Sequence, residues 1–130
     1  MARLTANYQG GTAFEMNCRG HSVRIDQPVD NGGEDSAMTP PELFAASLSA
    51  CIGHYVANYC KQAGIETEGL RVDADWATAD KPRRIGELVF KVILPGLPES
   101  RRKAVERVAS SCLLHATLEH PPQMKVELDV

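Results

Sequence analysis

From Leu43 to Tyr59 the chain contains no Asp, Glu, Lys or Arg, and small residues (Ala45, Ala46, Ser47, Ser49, Ala50, Gly53, Ala57) mix with larger apolar ones on every face. The flanks read as helix ends. In Thr39-Pro-Pro-Glu42, Thr39 can cap the first turn, proline is tolerated there, and Glu42 stands three residues on, where a capping box needs it. Gly64 is the usual left-handed terminator, so a helix is expected from about Pro41 to Ala63. A helix apolar on all sides must be buried on all sides. In a chain of 130 residues one sheet covers one side of it, and a second subunit is the expected cover for the rest.

The segments around this helix read as strands and one further helix. Leu4 to Gln9 and Thr12 to Cys18 flank Gly10-Gly11, a hairpin signal, and Ser22 to Gln27 alternates Val23 and Ile25 with Arg24 and Asp26 until Pro28 closes it. Asp30 to Met38 is a polar, glycine-containing loop. Beyond the central helix, Leu70 to Ala79 and Ile85 to Leu94 make two strands, the first with Leu70, Val72, Ala74 and Trp76 on one face. Glu99 to about Ser111 has an apolar stripe of Ala104, Val105, Val108 and Ala109, Cys112 to Leu118 continues as a helical turn, and Met124 to Val130 alternates as a last strand. The expected order is βββ-α-ββ-α-β, an α+β fold in a single domain over residues 1–130.

With 14 Lys+Arg against 17 Asp+Glu the formal charge is −3, which argues against a nucleic-acid binder. No segment reaches the roughly 18 apolar residues of a membrane span, and the first residues carry no signal-peptide run, so a cytoplasmic location is expected. In a reducing compartment Cys18, Cys51, Cys60 and Cys112 read as buried packing residues, metal ligands or reactive thiols rather than disulfide staples.

Cys51 and Cys112 each have a histidine three residues later, His54 and His115, which on a helix lies on the same face. Three readings are open. Both pairs can be core residues; the four side chains can ligate a Cys₂His₂ zinc; or the two cysteines can form a redox pair in which one attacks an oxidant and the other resolves the sulfenic acid.

Gly33-Glu-Asp-x-x-x-Thr-Pro-Pro-Glu-Leu-Phe-Ala-Ala-x-x-x-Ala-Cys51, followed by Cys112-Leu-Leu-His-Ala-Thr-Leu, resembles the OsmC/Ohr family of osmotically inducible and organic-hydroperoxide-resistance proteins. The Thr-Pro-x-Glu-Leu form is more like the broad OsmC-like branch. The resemblance implies an intertwined α+β homodimer with two sites at its interface, a peroxidatic Cys51, a resolving Cys112, organic hydroperoxides as substrates, a cellular dithiol as reductant, and no metal or organic cofactor. The alternative is an OsmC-like protein without peroxidase activity that binds a small apolar or electrophilic ligand or serves as a thiol sensor.

In the peroxidase branch an arginine, held by a glutamate at the start of the central helix, stabilises the thiolate. Alignment on the motif puts Pro41 at the glutamate position, with Glu42 one residue later, and Thr12 at the arginine position. Arg24 is the substitute cation, with Arg19 behind it and His54 as a further contributor. Beside these roles stand plainer ones: Glu42 as a helix cap, Arg24 as a solvent-facing strand residue, His54 as a buried hydrogen-bonding residue, and Cys18 and Cys60 as packing. An apolar funnel of Leu43, Phe44, Leu48, Leu113 and Leu114 is expected to take the organic group.

Overall fold

A computed structural model describes all residues, 1–130. The chain is a mixed α+β structure with two small antiparallel sheets and three helices: β1 (Thr5–Tyr8), β2 (Phe14–Cys18), β3 (His21–Ile25), α1 (Pro40–Ala63), β4 (Arg71–Ala79), β5 (Arg84–Ile93), α2 (Arg102–Ala109) and α3 (Leu113–Glu119), with short 3-10 turns at Val29–Asn31 and Glu99–Arg101. It divides into two compact units, Met1–Ala45 and Ala46–Val130.

In the first unit the strands lie in the order β1-β2-β3. The register aligns Ala6, Met16 and Val23 in one cross-strand row and Tyr8, Phe14 and Ile25 in another, while Asn7, Glu15 and Arg24 form a row between them. Because side chains alternate across a sheet, the two apolar rows share one face. Tyr8 and Phe14 pack there with ring centroids 5.4 Å apart. The β1–β2 connection is wider than the two-residue turn expected from Gly10-Gly11. Those glycines take positive φ (88° and 56°), Gln9 N–H bonds to Ala13 O, and β2 begins at Phe14 instead of Thr12.

α1 begins and ends as its sequence dictates. Glu42 Oε1 accepts from Thr39 N at 2.8 Å and Thr39 Oγ1 accepts from Glu42 N at 3.3 Å, a reciprocal capping box. At the other end Gly64 has φ 69° and Ile65 N–H reaches back to Cys60 O at 2.8 Å, the Schellman closure. Leu48, Ile52, Val56 and Cys60 recur every fourth residue and form its buried stripe. In the second unit this stripe joins Val105 and Cys112 in the core, with Val72, Phe90 and Val92 of the β4–β5 hairpin packed against it. The other face, including Phe44, Ala50 and His54, is exposed, so the all-round burial expected of α1 is not reached within one chain. A two-stranded sheet and two short helices have area enough for one side only.

Two expected elements differ. The helix from Glu99 does not run through Cys112: α2 ends at Ala109, the Ser111 hydroxyl donates to Val108 O at 2.8 Å, and Cys112 is extended (φ −64°, ψ 153°) as the N-cap of α3. Adjacent serines competing for backbone carbonyls interrupt the helix there. Met124 to Val130 is not a strand; the structure pairs it with nothing, and alternation makes a strand only where a partner backbone is present.

The capping box gives a direct check. Thr39→Ala should lower the unfolding free energy by about 1 kcal/mol in urea denaturation, within the range of lost N-caps, whereas Thr39→Ser should be close to neutral.

Candidate active site

α1 and α3 bring Cys51 and Cys112 together inside the second unit. Cys51 sits beside the buried stripe of α1 and is half-buried; Cys112, at the head of α3, is fully buried. Both are free thiols. As N-cap, Cys112 Sγ accepts from His115 N at 3.3 Å. Cys51 packs against the core cluster that contains Cys112, and its thiol is near enough to act on the Cys112 thiol. Burial is the main cause that raises the Cys112 pKa, its nearness to Cys51 adds to this, and the His115 and Leu114 N–H groups oppose it. Cys112 is thereby held as the neutral thiol, and Cys51 is the less buried of the two. Cys60 is buried in the same core, where burial also raises its pKa.

The histidines do not complete a metal centre. His54 is exposed within one chain and meets Tyr55 edge-on at 6.0 Å, and His115 Nε2 pairs with Glu119 Oε1 at 2.9 Å. No group of three or more Cys, His, Asp or Glu side chains is arranged to hold a metal ion. What links Cys112 to His115 is the backbone N–H, not the imidazole.

A cavity of about 260 Å³ opens between α1, β5 and α3, walled by Leu48, Ile52, Leu88, Phe90 and Leu118, with His115 and Glu119 as its polar side. The funnel expected from sequence shares only Leu48 with it. Leu113 is 63 % exposed and Leu114 packs on the core cluster, because the break before Cys112 turns α3 relative to the continuous helix assumed from sequence.

In the first unit the arrangement centres on Asp26, a residue that strand alternation assigned to solvent. β3 ends at Ile25, so the alternation no longer applies, and Asp26 is buried. Its carboxylate accepts from Thr12 Oγ1 (2.5 Å), Ser36 Oγ (2.6 Å), Ser36 N (3.1 Å) and Glu34 N (3.4 Å). These bonds, the Ser36 hydroxyl first, hold its pKa far below the usual carboxylate range. They also fold the 30–38 loop inward: a Cβ on Gly33 would stand 2.0 Å from Gln27 O, so only glycine fits. Arg24 Nε donates to Ser36 Oγ at 3.2 Å and so joins the same network, lining a hollow of about 350 Å³ with Thr12 and Asp26. Glu42 is engaged in the capping box, and the Thr39 N–H and hydroxyl lower its pKa. A polar loop following an acid, with Thr12 across the hairpin, was the sequence signal for this knot.

The family model described as OsmC-like protein matches residues 33–127. The chain belongs to the OsmC-like protein family. A comparison with curated proteins found no match. Solved structures share the OsmC-like fold. An organic hydroperoxide resistance protein OsmC from Legionella pneumophila is 18% identical with a TM-score of 0.69, over 91% of this chain and 88% of that one. An organic hydroperoxide resistance protein from Elizabethkingia anophelis is 22% identical with a TM-score of 0.69, over 90% and 87%. An OsmC like protein from Mycoplasma pneumoniae is 17% identical with a TM-score of 0.72, over 93% and 89%.

The Asp26 knot has a defined pH signature. A carboxylate whose folded pKa lies below its ordinary 3.8 adds stability above that pH and loses it as pH falls toward the folded value. Asp26→Asn should therefore be less stable than the parent at pH 7, with the difference shrinking from about pH 4 downward; thermal unfolding across pH 2–7 reads this, and a gap independent of pH would contradict it.

Proposed function

We propose that this OsmC-like protein is a thiol-dependent peroxidase for organic hydroperoxides. The observation that carries the reading is the juxtaposition of a half-buried thiol, Cys51, and a buried, neutral one, Cys112. Cys51 as thiolate attacks the terminal oxygen of ROOH; the O–O bond breaks, the hydroxyl passes to sulfur as a sulfenic acid, and the leaving alkoxide takes a proton from water to depart as ROH. Cys112 then attacks that sulfur, its proton leaves with the hydroxyl as water, and a Cys51–Cys112 disulfide forms. A cellular dithiol returns both to thiols by exchange. The nearness of the two thiols supports this because a resolving thiol must come within disulfide range without dismantling the core. The names of relatives from Legionella and Elizabethkingia, both given for organic hydroperoxide resistance, agree with it.

The apolar cavity between α1, β5 and α3 takes the organic group, and the His115–Glu119 pair gives its oxygen a hydrogen-bonding partner. Arg24, held by Ser36, is the candidate cation for the thiolate, and Glu42 acts through the start of α1 as its cap. The functional unit is a homodimer in which a second copy covers the exposed, uncharged face of α1, and both compact units work as one OsmC-like domain. Nothing in the helices is long and apolar enough to cross a membrane. A cytoplasmic enzyme without cofactor, nucleic acid or membrane partner fits these features. The competing role, a thiol sensor or binder of a small electrophile, is favoured by one observation: Thr12, at the position of the peroxidase branch's arginine, is tied to Asp26.

Consumption of cumene hydroperoxide with dithiothreitol separates the two. The parent should turn over, Cys51→Ser should lose at least about 100-fold as expected for a missing nucleophile, and Cys112→Ser should consume about one equivalent and stop. Parent turnover no higher than that of Cys51→Ser would overturn the enzyme reading in favour of the sensor.

A further inference from the structure

α3 is the shortest α-helix of the chain, and its start hangs on one side chain. It has seven residues, Leu113–Glu119, none of them fully buried, and Pro121-Pro122 stops it from growing at its far end. A helix this short does not hold in water on propensity alone. Its first turn is closed by Cys112, whose Sγ accepts from His115 N at 3.3 Å and whose carbonyl accepts from Ala116 N at 3.1 Å. Serine, threonine or aspartate is the usual residue at such a position. A cysteine there does the same work with a sulfur that can change its bonding.

That sulfur is also the one set against Cys51, which packs on the core cluster containing Cys112 and lies near enough to act on its thiol. α3 has a second connection. His115, Leu118 and Glu119 form its side of the cavity of about 260 Å³ that it shares with α1 and β5. The His115–Glu119 pair, 2.9 Å across, joins residues four apart and so lasts only while α3 is helical. The bonding of Cys112 therefore reaches the cavity wall through a single short helix.

We propose that Cys112 is a redox-sensitive helix cap: the Cys51–Cys112 disulfide uncaps α3 and loosens the wall that α3 contributes to the cavity. When Cys112 attacks the Cys51 sulfenic acid formed from an organic hydroperoxide, the S–S bond forms and the hydroxyl leaves with the thiol proton as water. Sγ is drawn into bonding range of Cys51 and away from the His115 N–H. Cys112 is fully buried, so solvent does not reach the place that the sulfur leaves, and the donors of the first turn regain partners only when that turn opens. The sequence of states is ordered by the chemistry. The cavity is closed while the thiols are reduced and take ROOH, and it relaxes once the alcohol has formed and a dithiol must reach the disulfide. Reduction restores the cap. This rests on the reading above for its disulfide and not for its turnover.

Amide hydrogen exchange at Ala116 and His120, which donate to Cys112 O and Ala116 O, reads the helix directly. The reduced parent is compared with parent oxidised by cumene hydroperoxide or by diamide, and with Cys112→Ser and Cys112→Ala. Oxidation should speed exchange at both amides by about fivefold or more, the fold-change of a lost N-cap of ordinary strength, while Val56 and Cys60 of α1 keep their rates. Cys112→Ser retains a capping side chain and should exchange like the reduced parent with or without oxidant. Cys112→Ala should exchange like the oxidised parent in the absence of any oxidant, and exchange as slow as that of the reduced parent would overturn the cap. A disulfide with unchanged exchange in α3 would overturn the switch and leave the peroxidase chemistry standing. A disulfide formed by diamide alone, with faster exchange in α3, would support the switch and overturn the peroxidase. A protein that forms no Cys51–Cys112 disulfide with either oxidant would overturn both.

Discussion

Burial of Leu48, Ile52, Val56 and Cys60 along one stripe of α1 sets the position of everything else in residues 46–130. The hairpin β4–β5 and the α2–α3 segment pack on that stripe, and Cys112 is drawn into the core as part of the packing. Cys51 escapes full burial because it stands beside the stripe, not on it. One helix therefore produces the asymmetry on which the proposed chemistry depends: a half-buried thiol beside a fully buried one.

The absence of charge along α1 has a second consequence. Its far side carries small and apolar side chains that a single chain leaves exposed. The three-stranded sheet has an apolar face of its own, in which Phe14 and Val23 are more than a third exposed. Surfaces of this kind on a folded chain are the usual mark of a missing subunit. The first unit has a different organising group. There a buried carboxylate, Asp26, gathers the hydroxyls of Thr12 and Ser36 and two backbone N–H groups, and so fixes a loop that has few apolar side chains to hold it.

Much of this was legible in the residues themselves. The ends of α1 followed from Thr39, Glu42 and Gly64, whose roles are local and need no tertiary information. Five of the six expected strands were likewise visible, and Cys51 and Cys112, the expected redox pair, are neighbours in the fold. Non-local features were not. The break at Ser110 to Cys112 depends on a balance between side-chain and backbone hydrogen bonding that a helical stripe does not reveal. Asp26 lies one residue past the end of β3, where alternation ceases to say which way a side chain points. The exposure of His54 depends on which side of α1 the hairpin occupies, and Met124 to Val130 has the pattern of a strand without a partner in its own chain.

In the proposed chemistry Cys51 and Cys112, and no other pair, exchange electrons with the oxidant. Peptide mass spectrometry of the reduced protein after one equivalent of cumene hydroperoxide reads this pairing out. One linkage is expected, between the peptides carrying Cys51 and Cys112, with Cys18 and Cys60 still alkylatable after denaturation. Oxidation that spares Cys51, or a disulfide that includes Cys18 or Cys60 in place of Cys112, would contradict it.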